Sequence, residues 1–247
     1  MQNEYLERSP EELLAALEQA GRTPGKPLLY ACLERSDEIA PLLLDWLAAD
    51  LREDRDWPED DPRWYRAVHA GNLLAAFRDE RVLPLFAEVL RYSENENFLD
   101  WFDPAMAHLG PAGVETYLGV LRDPRAWVWG RIRASGTLAD IARRHPDERE
   151  RVVEALRARL PLVDAGGRFV TPPPADDDHV ELWTTVACNL AELRDRAGQP
   201  RVVALYRAGL IDEMVMGDEA DYLAIFDEAP RPLEPFDLIR YYHPRRR

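Results

Sequence analysis

Apolar positions recur along this chain at helical spacing, and five ten-residue segments can be laid on one another with that spacing in register. Arg81–Leu90 reads RVLPLFAEVL, with Val82, Leu85, Phe86, Val89 and Leu90 on one stripe. Glu38–Leu47 reads EIAPLLLDWL, with Pro41 where Pro84 stands. Gly113–Arg122 reads GVETYLGVLR and carries Val114, Tyr117, Leu118 and Leu121; Arg151–Leu160 reads RVVEALRARL and Arg201–Leu210 reads RVVALYRAGL. Each of the copies starting at 81, 151 and 201 follows a second amphipathic segment: Trp64–Phe77, Trp129–Ala142 and Val180–Leu193. The preceding segments share short strings as well. Leu74–Asp79 is LAAFRD and Leu190–Asp195 is LAELRD, and Asp61-Pro62-Arg63-Trp64 has an echo in Asp123-Pro124-Arg125-Ala126-Trp127.

The repeating unit is therefore helix, turn, helix. One such pair cannot bury its apolar face alone, whereas stacked pairs share a continuous core, and the spacing of 32 to 50 residues between copies is that of a solenoid. The fold expected is all-α: an α-solenoid of stacked antiparallel helix pairs with about five to six repeats. It would form one domain over 1–247, with N-terminal cap helices at 1–35, repeats at 36–210 and a C-terminal cap and tail at 211–247. An irregular helical bundle is the competing arrangement.

Punctuation along the chain fits that plan. Ser9-Pro10-Glu11-Glu12 has the residues of a helix start, with Leu13, Leu14 and Leu17 as the buried face and Gly21 as the stop. A short helix is expected at Pro27–Glu34, and Ser36 or Asp37 as the cap of the first repeat copy. Asp50–Pro62 is expected to be an acidic connector. Its seven acids lack the central glycine of a calcium loop, which makes them a solvated surface, and Trp57 within it is expected to pack back onto the helices. Ser93–Asn97 reads as a polar turn, Phe98–Leu109 as a helix with an aromatic stripe of Phe98, Trp101, Phe102 and Met106, and Gly110-Pro111 as a break. Pro161–Asp178, with Gly166-Gly167 and Pro172-Pro173-Pro174, is the longest interruption. Beyond the last copy, Asp218–Phe226 reads as one more short helix, and the tail is expected to cap the last repeat with Phe236, Leu238 and Ile239.

The net charge of −15 opposes approach to a phosphate backbone. Arginines are dispersed among acids, and the sole basic run is Arg245-Arg246-Arg247. Cys32 and Cys188 both lie in apolar helical segments, as buried free thiols do. The opening residues have neither a basic start nor an apolar run, so no signal peptide and a cytoplasmic location are expected; no stretch is apolar for about 18 residues, so no membrane span is expected.

The residues point to no catalytic constellation: there is no G-x-S-x-G, H-E-x-x-H, P-loop or C-x-x-C, and no two of His69, His108, His145, His179 and His243 lie three or four apart. His69 and His108 read as packed or capping side chains. Asp176–Asp178 with His179 and Glu181 have the residue types of a divalent-cation site, and capping of the next helix explains the aspartates equally well. No catalytic, cofactor-binding or metal residue is assigned on this basis, and no cofactor is expected.

With the helices placed, the chain resembles HEAT-like repeat proteins, and more narrowly a bacterial family known only as a domain of unknown function with HEAT-like helices. The resemblance rests on Asp37–Leu43 (DEIAPLL), His69–Arg81 (HAGNLLAAFRDER) and Trp129–Leu160, and covers roughly 27 to 228. It implies the solenoid fold and supplies no activity. Longer members often end in a cysteine-rich zinc motif; this chain ends in YYHPRRR, so that site is not implied. The function expected is a non-enzymatic protein-interaction scaffold, with the acidic charge favouring a basic partner segment. The alternatives are an enzyme or small-ligand binder using the aromatic-rich middle from Trp101 to Trp129, and, against the charge, a nucleic-acid binder.

Overall fold

The computed structural model describes residues 3–52, 57–58, 60–92, 96–229 and 232–244. Arg245–Arg247 and part of the Ser93–Asn97 turn and of the acidic connector lie outside the described residues. The protein is all-α: among the described residues the regular structure is helical, with one isolated antiparallel bridge between Val163 and Phe169. The helices are α1 (Pro10–Glu18), α2 (Lys26–Glu34), α3 (Ser36–Arg52), α4 (Arg66–Ala76), α5 (Leu83–Arg91), α6 (Glu96–His108), α7 (Val114–Arg122), α8 (Val128–Arg144), α9 (Arg149–Arg157), α10 (Asp177–Glu192), α11 (Gln199–Arg207), α12 (Glu213–Met216), α13 (Glu219–Ile225) and α14 (Leu238–Tyr242). They group into two compact units, one of Met1–Val89, Glu94–Leu109 and Pro235–Arg247, the other of Leu90–Ser93 and Gly110–Glu234.

The five aligned segments fall on α3, α5, α7, α9 and α11, and the apolar stripe is the buried face of each. Ile39, Leu43 and Leu47 are sealed on α3, Val114, Tyr117, Leu118 and Leu121 on α7, Val152, Val153 and Leu156 on α9, and Val202, Leu205 and Tyr206 on α11. On the second copy Val82, Phe86, Val89 and Leu90 are buried and Leu85 is half-buried. Each such side chain contributes about 1.5–3 kcal/mol through removal from water. In the first unit α4 packs against α3 and α6; in the second, α8 packs against α7, α9 and α10. Small residues let these helices come close. Gly71 of α4 lies against the Phe102 ring, and Gly130 of α8 lies against the backbone of Leu90.

Ser9 caps α1 with a full capping box to Glu12, and Asp218 caps α13 in the same way. Three features differ from the sequence expectation. Ser36 and Asp37 are not caps but lie in the first turn of α3, because only Arg35 separates α2 from α3 and its carbonyl already accepts from the Ile39 N–H. Asp50 and Arg52 belong to α3 rather than to the connector, and the Asp50 carboxylate is tied to Arg66 of α4. Trp57 does face back: the Arg63 and Arg66 guanidinium carbons lie 5.1 and 5.3 Å from its ring centroid. The interruption at 161–178 carries a tight turn, with the Asp164 N–H donating to the Arg168 carbonyl and the Asp164 carboxylate accepting from the Gly166 and Arg168 N–H groups. Finally, the C-terminal tail does not cap the last repeat. It lies in the first unit, where the Tyr242 hydroxyl donates to His69 Nδ1 at 2.8 Å, the Tyr241 hydroxyl to the Trp101 carbonyl at 3.0 Å, and His243 Nε2 meets the Pro24 carbonyl at 2.8 Å.

The LAAFRD and LAELRD echo marks two equivalent helix ends. Arg78 and Arg194 are the non-glycine residues with positive φ among those described, at 57° and 56°. In each case the next aspartate N–H reaches back five residues and the arginine N–H reaches back three, which is a Schellman closure with arginine in the position that glycine usually occupies. At Arg194 the side chain gives a reason for this: its guanidinium donates to the Ile225 and Glu228 carbonyls. Arg78 is exposed. Arg78→Gly is therefore expected to raise stability by roughly 0.5–1 kcal/mol, because the left-handed penalty it relieves exceeds the added unfolded-state entropy of glycine. Arg194→Gly is expected to lower stability through the lost carbonyl contacts. Urea midpoints of the two variants check both signs.

Candidate functional site

Among the described residues, three hollows can be told apart by the state of their charged side chains. One of about 640 Å³ lies beside α1 and α2, but its Arg8 rests on the Tyr5 ring at 4.3 Å and its Glu12 accepts from the Ser9 N–H at 2.7 Å. One of about 310 Å³ beside α11 has Arg196 on Asp227 at 3.2 Å and Arg207 on Glu219 at 3.5 Å. In both, the charges are committed to neighbours.

The third hollow, about 470 Å³, belongs to the second unit and is different. Its walls are Arg131 of α8, the residues that follow α9 from Ala158 to Leu162, the strip Val170–Pro174, and His179, Leu182 and Trp183 of α10. The sequence builds it through three local decisions. Leu160 is buried while Leu162 and Val170 stay exposed at its rim. Pro172, Pro173 and Pro174 hold the chain extended until Asp176 starts α10 by accepting from the His179 N–H at 3.1 Å. The Trp183 indole N–H donates to the Arg159 carbonyl at 3.0 Å, which locks the indole against the end of α9.

The two arginines give this hollow its character. Both are half-buried, and neither guanidinium forms an ion pair with a described carboxylate. Arg131 Nε makes a long contact of 3.5 Å to the Leu121 carbonyl, and Arg159 Nε is buried with no hydrogen-bond partner among the described residues. Burial first, and then the charge of Arg159, pull the Arg131 guanidinium below the usual arginine range, with Asp123 and Asp178 acting in the opposite direction. Burial and then the charge of Arg122 do the same to Arg159. Such downward pulls show cationic groups short of compensation, although an arginine stays charged at neutral pH. His179 completes the lining; its Nδ1 is 2.7 Å from Asp176 Oδ1 and its ring centroid 5.3 Å from that of Trp183.

Of the side chains singled out in the sequence, His179 lines this hollow with Asp176 beside it, and the aromatic residues of the middle stretch lie elsewhere. Trp101 packs in the first unit against Trp64 and Tyr65, at 6.0 and 5.7 Å between ring centroids, and Trp129 stands exposed on α8. Asp176 is a helix cap, and no group of three or more metal-ligating residues gathers among the described ones. Cys32 is buried and Cys188 half-buried; burial pushes the Cys32 thiol up to about 12. No described helix is long and apolar enough to cross a membrane.

Arg131 and Arg159 escaped the sequence reading, and a signal for them exists. Neither has an acid three or four positions away in the sequence, unlike Arg143 with Asp140 and Arg151 with Glu148. Comparison of the chain with protein-family models, curated proteins and solved structures finds no match.

Proposed function

We propose that this protein is a non-enzymatic binding scaffold of HEAT-like stacked helix pairs that holds an anionic group of its partner in the hollow between α8, α9 and α10. The repeat architecture draws support from the buried stripes of the five aligned helices and from α8 packing against the helices on either side of it. The observation that carries the binding reading is the pair of half-buried guanidiniums without an ion-pair partner among the described residues, in a largely apolar hollow of about 470 Å³, a size suited to an organic ligand. Binding fits better than catalysis because arginines position and neutralise charge without exchanging protons at neutral pH, and His179 is tied to its own helix cap. The basic partner that the net charge of −15 favours would dock away from this hollow.

A thermal-shift series with organic anions and their neutral isosteres tests the reading. A ligand at about a hundred times its Kd adds roughly 2.7 kcal/mol to the folded state, a rise of several degrees. The rise is expected with anions only, and is expected to disappear in the Arg131→Gln/Arg159→Gln double variant. An equal response in wild type and double variant would remove the hollow from the account.

A further inference from the structure

The geometry points to a more specific occupant, and this step rests on the binding reading above: we infer that the ligand of the Arg131–Arg159 hollow is a phosphate monoester carried on an apolar body. Charge is the first reason. The two half-buried guanidiniums form no ion pair with a described carboxylate, so a single ligand carboxylate would leave one of them without a direct partner, whereas a phosphate monoester brings about −1.5 to −2 at pH 7. Donor count is the second. Each guanidinium presents a planar fork, and Arg159 Nε is a buried donor with no acceptor among the described residues. Three phosphate oxygens can accept from both forks and satisfy that donor at once.

The rest of the hollow calls for the body. Beyond the arginines its wall is Pro172–Pro174, Leu182 and the Trp183 indole, and the space far exceeds what a bare phosphate fills. Leu162 and Val170 stand 57 % and 63 % exposed at its rim, two large apolar side chains that an aryl or alkyl group would cover. The protein carries net charge −15, so this pocket is a local reversal of the overall field, which selects for an anion small enough to enter it.

Equilibrium dialysis of the full chain at pH 7.5 against phenyl phosphate, inorganic phosphate, benzoate and phenol tests the inference. Phenyl phosphate is expected to bind at least tenfold tighter than each of the other three. Arg131→Gln and Arg159→Gln are each expected to weaken it at least tenfold, Arg159→Lys to give an intermediate loss, and Arg207→Gln, remote from the hollow, to change nothing. Leu162→Ser/Val170→Ser is expected to narrow the preference for phenyl phosphate over inorganic phosphate. Thermal melts of the variants, matched to wild type, exclude loss of fold as the cause. Benzoate binding as tightly as phenyl phosphate, with the same dependence on both arginines, would overturn the phosphate class and leave the binding reading standing. Retention of none of the four probes, or phenyl phosphate affinity unchanged in both arginine variants, would overturn both.

Discussion

Gly130→Ala is expected to cost about 3 kcal/mol or more, whereas Gly136→Ala in the same helix is expected to add about 0.5–1 kcal/mol. The difference comes from what each new methyl would meet. At Gly130 an added Cβ would lie 3.0 Å from Leu90 Cα and closer still to the Leu90 carbonyl. These are backbone atoms, so no rotamer change makes room, and the start of α8 is already pinned there by the Trp127 N–H donating to the Arg91 carbonyl at 3.1 Å. At Gly136 nothing lies within 4 Å, and only the helix propensity changes. Urea denaturation of the two variants measures both. Because Arg131 follows Gly130 directly, the Gly130→Ala protein is also expected to lose affinity for an anion in the hollow. Unchanged stability of Gly130→Ala would mean that α8 does not approach Leu90 as closely as described.

The second large effect is a dependence of stability on pH through His69. Its ring is sealed from solvent, with Nε2 on the Gly21 carbonyl and Nδ1 on the Tyr242 hydroxyl, both at 2.8 Å. Burial, only partly opposed by the Gly21 contact, lowers it from 6.5 to about 4. The unfolded chain therefore takes up a proton on this side chain more readily than the folded one. The stability contributed by a neutral His69 is complete above pH 6.5, is lost progressively as pH falls from 6.5 to 4, and changes no further below that. The full loss is about 3 kcal/mol, at 1.36 kcal/mol per pH unit of displacement. The His69→Gln variant keeps a donor and an acceptor without a titrating ring. Denaturation of both proteins between pH 7.5 and 4 is expected to show a steeper fall for wild type by about that amount; parallel curves would show that the ring is already protonated or exposed.

Much of the fold was legible in the sequence because helical periodicity is a local signal. The stripes on α3, α5, α7, α9 and α11 could be read from spacing alone, and the LAAFRD and LAELRD strings showed that two helices repeat, although not that both end in a Schellman closure. Contacts between distant segments were not legible. Tyr242 and His69 are 173 positions apart, and nothing local in the tail sequence directs it onto α4 rather than onto the last repeat. The site was hidden for a related reason. Arg131 and Arg159 look like two more surface arginines in a chain full of them, and Trp183 reads as one member of a helix stripe. Only the folding back of Val170–Pro174 beside the end of α9 puts a wall around them.

A crystal structure of the protein grown with phenyl phosphate is the most direct test. Phosphate oxygens are expected about 2.7–3.0 Å from both the Arg131 and Arg159 guanidiniums, Arg159 Nε among the donors, with the ring lying against Trp183 and the Pro172–Pro174 strip. An empty hollow, with the two arginines turned onto carboxylates of the chain and the ligand bound elsewhere, would contradict this placement.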